Sequence, residues 1–465
     1  MYFEQFYLGC LAHASYMLAS EGEAAVVDPQ RDVEIYLQAA AERGLKIRHI
    51  FETHLHADFV SGHLELAART GATIYIGEKA EAGFPHVALH DGFELKMGKV
   101  RIAALETPGH TPESVCLVIT DEERSAQPWA VLTGDTLFLG DVGRPDLSKA
   151  YTSEQLAGML YDSLHNKLLK LKDDVLVYPA HGAGSLCGRN MRAERFSTLS
   201  TERMTNYALQ IKDRAEFVRQ LTTNLPSRPE YFLQDAQINR QGAPPLAGLP
   251  PLAAISPREL QSLLEQGVFA LDVRPTAEFA AAHVPGSVNI ALSGQFASWA
   301  GIVLGLHSSP VLIADTEEQY SEARLRLARV GIEDPRGYLE GGVQAWRQAG
   351  FPLEELRQVS AEQLQEKIAV EPMQVLDIRR EGEWHAGHIA GATWWPLDNF
   401  KVAAPEFDST LPLAVHCQSG YRSVIACSLL RRAGFAGVIN VSGGFEAWKK
   451  AGLPVEVAQH ETQSK

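Results

Sequence analysis

Four short stretches in the first half of the chain place histidine and aspartate where they could hold a metal or move a proton. THLHAD at positions 53–58 sets His54 and His56 two residues apart, with Asp58 behind them. TPGHT (107–111) supplies His110, LTGDT (132–136) supplies Asp135, and YPAHG (178–182) supplies His181. Each follows a strand-like apolar run, so a sharp turn after the strand can aim these groups into one cavity. One histidine alone is ordinarily a hydrogen-bonded interior or surface residue. A set of such groups at strand ends is hard to explain by packing, because buried imidazole and carboxylate are costly unless a cation or hydrogen bonds receive them.

A second kind of chemistry sits near the other end. LAVHCQSGYRSVIAC places Cys417 where a strand-like run stops, followed by Gln418, Ser419, Gly420, Tyr421 and Arg422, with a helix expected from about Ser423. A short loop entering a helix N-terminus aims backbone N–H groups inward, and the helix dipole adds to their effect. Such a cradle favours thiolate over thiol and can hold a persulfide anion, with Arg422 to balance charge. Gly420 lets the loop curl where a Cβ would collide. Of the remaining cysteines, Cys10 and Cys116 lie in apolar strand-like runs and read as core, as does Cys427 on the helix. Cys187 is bracketed by glycines in HGAGSLCGRN, with Arg189 and Asn190 following, which gives it access to the cavity.

The elements that must position these groups fall into three parts. The 465 residues carry 42 basic and 57 acidic side chains, a net charge of −15, with ordinary globular hydrophobicity (45%). No block of Lys or Arg is present to neutralise phosphates, so nucleic acid is not an expected partner. The first residues do not read as a signal peptide, and no apolar run approaches the roughly 20 residues that span a bilayer. Five widely spaced cysteines without a CxxC pair fit a reducing compartment, and a cytoplasmic location without membrane contact is expected. Prolines 244, 245, 250, 251 and 257 mark a linker at 241–256. Before it, residues 1–240 alternate strands, turns and a few amphipathic helices.

After the linker the chain repeats itself. VFALDVRPTAEFAAAHVPGSVNI matches MQVLDIRREGEWHAGHIAGATWW, and YLEGGVQAWRQAGFP matches NVSGGFEAWKKAGLP, with Trp346 and Trp448 offset by 102. A period near 100 residues is a duplicated small domain, expected at 257–355 and 356–460. Strands alternating with helices in each copy indicate parallel α/β sheets. Asp315 stands 26 residues before Gly341, as Cys417 stands 26 before Gly443. A carboxylate cannot carry sulfane sulfur, so the middle copy is expected to be inactive and kept for packing, assembly or docking.

THLHADF resembles the THxHxDH signature of the metallo-β-lactamase fold, an αββα sandwich with metal at one edge of its sheets. Phe59 stands where that signature has its last histidine, a ligand of the second metal, so the resemblance implies one metal. The first domain is most similar to the persulfide dioxygenases of that superfamily. This implies one Fe(II) per chain held by His54, His110 and Asp135, with His56, Asp58 and His181 around them. DVGRPD (141–146) is similar to a stretch near that metal and brings in Arg144 and Asp146, while Cys187 and Arg189 are further substrate-side candidates.

The loop CQSGYRS, with LDIR, EWHAGHIAGA and GGFEAW, resembles the rhodanese sulfurtransferases, although Gln418 stands where that family often has Arg. Together the resemblances imply oxidation of a glutathione-like or coenzyme A-like persulfide by O2 to sulfite and thiol. A Cys417 persulfide would then form or use thiosulfate, and the role would be sulfide detoxification by a homodimer or homotetramer. The alternatives are a glyoxalase II-like metal-dependent thioesterase with an accessory sulfurtransferase domain, and a sulfur-relay or scaffold protein.

Overall fold

The computed structural model describes residues 1–223, 225, 227–401 and 407–457. Residues 402–406 and 458–460 of the expected third domain lie outside the described residues. The chain divides into two compact units, Met1–Leu249 with Leu327–Gly331, and Pro250–Arg326 with Ile332–Lys465.

The first unit contains two six-stranded sheets. One runs in sequence order through β1 (Tyr2–Leu8), β2 (His13–Ser20), β3 (Glu23–Val27), β4 (Lys46–Glu52), β5 (Thr73–Gly77) and β6 (Val87–Leu89). The other contains β7 (Glu94–Met97), β8 (Val100–Glu106), β9 (Val115–Asp121), β10 (Ala130–Gly134), β11 (Leu176–Pro179) and β12 (Ser197–Thr198). Tyr16, Phe51, Leu117, Ile119 and Leu132 share the core between the sheets. β2 and β9 are buried along their whole length, because each is covered on both faces. On the outer face of the first sheet, Tyr36, Ala39 and Ala40 of the Glu34–Glu42 helix pack with Val26 and Ile50. On the outer face of the second, Ala157, Leu160 and Leu164 of the Ser153–Asn166 helix join Phe217 against Val131 and Val177. The layers are therefore αββα, as the signature implied.

The second unit holds two copies of one topology. β13 (Ala254–Ile255), β14 (Ala270–Asp272), β15 (Val288–Asn289), β16 (Val311–Ile313) and β17 (Gly337–Leu339) form a parallel sheet in the order β13-β17-β16-β14-β15. β18 (Arg357–Val359), β19 (Gln374–Asp377), β21 (Thr393–Trp394), β22 (Leu413–His416) and β23 (Val438–Val441) repeat it as β18-β23-β22-β19-β21, while β20 (His388–Ile389) pairs with β24 (Val455–Glu456). The duplication extends to side chains. Trp346 Nε1 and Trp448 Nε1 donate to Pro352 O and Pro454 O, both at 2.8 Å, and Arg274 and Arg379 grip Asp272 and Asp377 in the same way. Cys116 lies in β9 and Cys427 in the Tyr421–Arg432 helix, both fully buried. Cys10 is buried too, but in the turn that follows β1 and not in a strand, because the chain reverses at Gly9 before pairing resumes at His13. No helix among the described residues is long and apolar enough to cross a membrane.

A candidate metal centre and a candidate sulfur-transfer loop

His54 follows β4, His110 follows β8, Asp135 follows β10 and His181 follows β11, so one edge of the sandwich gathers all four. One ligand atom each from His54, His110 and Asp135 lies within 4.8 Å of the others, and all three residues are buried. His54 Nε2, His110 Nε2 and Asp135 Oδ2 have no hydrogen-bond partner, and both imidazole nitrogens face that oxygen, at 3.7 and 3.3 Å. The opposite atom of each group is engaged. His110 Nδ1 donates to Arg144 O at 3.0 Å, and Asp135 Oδ1 accepts from His181 Nδ1 at 2.7 Å. Thr53 Oγ1 donates to Asp28 Oδ2 and so accepts from His54 Nδ1 at 3.0 Å. These outer bonds leave both Nε2 lone pairs facing inward, as metal-ligating histidines require. Three converging, desolvated, orphaned donor atoms with no other partner fit a cation.

The electrostatics agree. Burial, reinforced by its neighbour His56, pushes the His54 imidazole well below its ordinary range, and burial lowers His110. Burial alone would raise Asp135, but His181, His54 and His110 around it hold it well below the usual carboxylate range. The donor set is thus two neutral imidazoles and an ionised carboxylate, the forms that bind a metal. For His181 burial opposes the charge, yet Asp135 and Asp58 outweigh it and keep the ring well above its ordinary range.

The other expected residues divide between two clusters. Asp58, His181 and Cys187 offer a second group of atoms within 4.8 Å, with His181 Nε2 2.9 Å from Asp58 Oδ2. Cys187 is only 1% exposed, and burial, with Asp58 and Asp135 nearby, holds it as a thiol. Its bracketing glycines therefore do not open it to bulk solvent. His56 turns away toward Asp28 Oδ1 at 3.2 Å and Glu52 Oε2 at 3.5 Å. Phe59 is fully buried, its ring 4.1 Å from that of His13 and 4.4 Å from that of His56. Arg144 pairs its guanidinium with Asp146 and donates to Leu186 O, so it is its carbonyl that orients a candidate ligand. Arg189 reaches Leu221 O and Thr223 O, away from the triad.

Four residues that sequence reasoning passed over hold this edge together. Asp28 accepts from Thr53 N, and Glu113 accepts from Leu55 N at 3.1 Å. His13, at the start of β2, lies beside His56 and His181. Asn239, on the Tyr231–Gln241 helix, donates to His56 O and Phe59 O and accepts from Ser61 N, each at 2.8 Å.

At the far end of the second unit, Cys417 follows β22 and the Tyr421–Arg432 helix starts four residues on. Gly420, at φ +100°, caps the helix and donates its N–H to Cys417 Sγ at 3.2 Å. The turn is closed from behind: Phe445 N and Glu446 N donate to Cys417 O and Gln418 O at 2.8 and 2.9 Å. A Cβ on Gly444 would lie 2.4 Å from Cys417 O, which explains why glycine stands there. Arg422 is gripped by both oxygens of Glu383, at 2.6 and 2.7 Å, and Gln418 Oε1 accepts from Arg379 at 3.4 Å. In the middle copy Asp315 occupies the thiol's place. There Gln319 Oε1 accepts from the N–H groups of Asp315 and Thr316, and a cavity of about 510 Å³ opens beside them.

Residues 8–181 match the Metallo-beta-lactamase superfamily, and residues 256–349 and 360–451 each match the Rhodanese-like domain. The chain belongs to that superfamily through its first domain and carries two rhodanese-like domains behind it. Its first domain is 28% identical over 210 residues to the human persulfide dioxygenase ETHE1, covering 44% of this chain and 73% of that protein. It is also 31% identical over 172 residues to a hydroxyacylglutathione hydrolase of Francisella tularensis subsp. novicida, covering 37% of this chain and 63% of that protein. A crystal structure of a metallo-beta-lactamase from Staphylococcus aureus subsp. aureus COL superposes with a TM-score of 0.64 at 31% identity, covering 72% of this chain and 98% of that one. A metal-dependent enzyme with rhodanese sulfurtransferase domains is what these likenesses support.

Proposed function

We propose that the first domain is a persulfide dioxygenase holding one iron through His54, His110 and Asp135, and that Cys417 transfers sulfane sulfur. The observation that carries the reading is one complete set of orphaned donor atoms beside a second position filled by Phe59. Fe(II), when bound, supplies the redox chemistry that joins a persulfide sulfur to O2. The chain's own part is to keep the imidazoles neutral and to bury the site. A thiol persulfide, O2 and water give thiol and sulfite, with both oxygen atoms of O2 on the former outer sulfur.

The Cys417 thiolate then attacks the outer sulfur of a second persulfide, releasing the carrier thiol and leaving a Cys417 persulfide. Sulfite attacks that outer sulfur, the S–S bond breaks, the thiolate returns to Cys417 and thiosulfate leaves. The Gly420 N–H stabilises the anionic sulfur at each stage. The expected carrier is glutathione-like or coenzyme A-like.

Anaerobically prepared protein should contain about one iron per chain and consume O2 when glutathione persulfide is added. Cys417→Ser should keep O2 uptake but release sulfite in place of thiosulfate; unchanged products remove Cys417 from the scheme. The hydrolase likeness supports a second reading, metal-dependent thioester hydrolysis. Two zinc ions per chain with thioester cleavage and no O2 uptake would establish that reading instead.

A further inference from the structure

The helix that begins at the Cys417 loop is fastened along one face to the copy that lacks a nucleophile. Tyr421 OH donates to Ala291 O at 2.9 Å. Ser428 Oγ accepts from Asn289 N at 3.2 Å, and Arg431 pairs with Glu354 at 2.8 Å. Arg432 donates to Gly286 O and Gly267 O at 3.0 and 2.8 Å and lies over the Phe269 ring. The first of these ties falls inside the sulfur loop. Tyr421 stands between Gly420, whose N–H reaches Sγ, and Arg422, which Glu383 holds. The duplication supplies a control. At the 102-residue offset Tyr421 corresponds to Gln319, and Gln319 folds inward to occupy its own loop's backbone N–H groups. Those N–H groups belong to Asp315 and Thr316, the counterparts of Cys417 and Gln418, whereas Tyr421 turns the other way, to the neighbouring copy.

We propose that Tyr421 is a positioning residue for Cys417 and that the inactive copy serves as its anchor through the Ala291 carbonyl. The inference rests on the reading of Cys417 as the sulfur carrier. Losing the hydroxyl frees the loop peptide to rotate, so the Gly420 N–H no longer stays aimed at the sulfur and the thiolate loses a donor. The charged and titratable groups around the thiol are Arg422 and Cys427 on its helix and Glu383 beside it. The Asp377–Arg379 pair with His416 lies underneath, and Arg380 and Asp398 stand near Arg422. Tyr421→Phe alters none of them.

The test uses the full chain as wild type, Tyr421→Phe and Ser428→Ala. Iodoacetamide alkylation of Cys417 is followed against pH by peptide mass spectrometry, and sulfur transfer to sulfite by its kcat and KM. Tyr421→Phe should move the alkylation midpoint to higher pH and lower kcat at neutral pH about fivefold, the size of one lost hydrogen bond. KM for sulfite should stay within about twofold, and raising the pH should restore the rate. Ser428→Ala, on the same interface but away from the loop, should leave the midpoint in place. An unmoved midpoint in Tyr421→Phe, or an equal shift in Ser428→Ala, overturns the proposal. Absence of sulfur transfer in the wild type defeats the assigned function instead, while the alkylation midpoint still decides the tie.

Discussion

Replacing Asn239 by alanine should loosen the candidate metal edge from a position far away in sequence. The side chain is 1% exposed and makes three hydrogen bonds, two to carbonyls of the turn after β4 and one from Ser61 N. Alanine leaves both carbonyls and the amide buried without partners. At about 1 kcal/mol for each net bond, the turn loses about 3 kcal/mol of local stability. At 1.4 kcal/mol per factor of ten, the opening equilibrium rises roughly 100-fold. Hydrogen exchange reads this directly, since the Ser61 amide is one of the three partners and should exchange faster by about that factor. Metal retention against a chelator should fall in parallel. Asn239→Asp keeps the acceptor for Ser61 N and loses the two donors, so it should fall between wild type and Asn239→Ala. A Ser61 amide as protected in Asn239→Ala as in the wild type would refute the argument that this helix pins the turn.

Phe59→His should raise metal content from about one toward two per chain, because it adds an imidazole next to Asp58, which already converges with His181 and Cys187; elemental analysis unchanged at one refutes it. Gly444→Ala places a Cβ against the Cys417 carbonyl, so sulfur transfer should drop more than about tenfold while metal content and O2 uptake hold. For His283, burial first of all pushes the imidazole down to about 4 from 6.5, against the Phe279 carbonyl it donates to and with Arg431 and Arg274 adding to the fall. Between those values the folded ring is neutral and the unfolded one is charged. Stability is therefore full above pH 6.5 and declines as pH drops toward 4, by about 3 kcal/mol in all. Denaturant unfolding from pH 7.5 to 4.5 should show that slope in the wild type and a flatter one in His283→Gln.

Much of the architecture was readable because each strand carries a short apolar run, and the duplication repeats whole motifs such as LDVR and LDIR. The candidate donors were readable for the same reason, since each ends a strand. Their division was less open to inspection. THLHAD treats His54 and His56 alike, and only the fold sends His56 to Asp28 and Glu52. Contacts made through the backbone leave no residue signature: Arg144 orients His110 by a carbonyl that any residue at that position would also have. Asn239 acts across 180 residues with no local pattern to mark it. The apolar neighbours of Cys10 suggest a strand and do not reveal where the chain turns.

The side chain of Gln319 sets a limit on reversibility in the duplicated half of the chain. Asp315→Cys alone would place a thiol in a loop whose first two amides, those of residues 315 and 316, are already taken by Gln319. Glu278, the counterpart of Glu383, leans on Asp315, and tyrosine stands at position 320, the counterpart of Arg422. Building a second thiol loop like that of Cys417 therefore calls for several coordinated replacements, not for one.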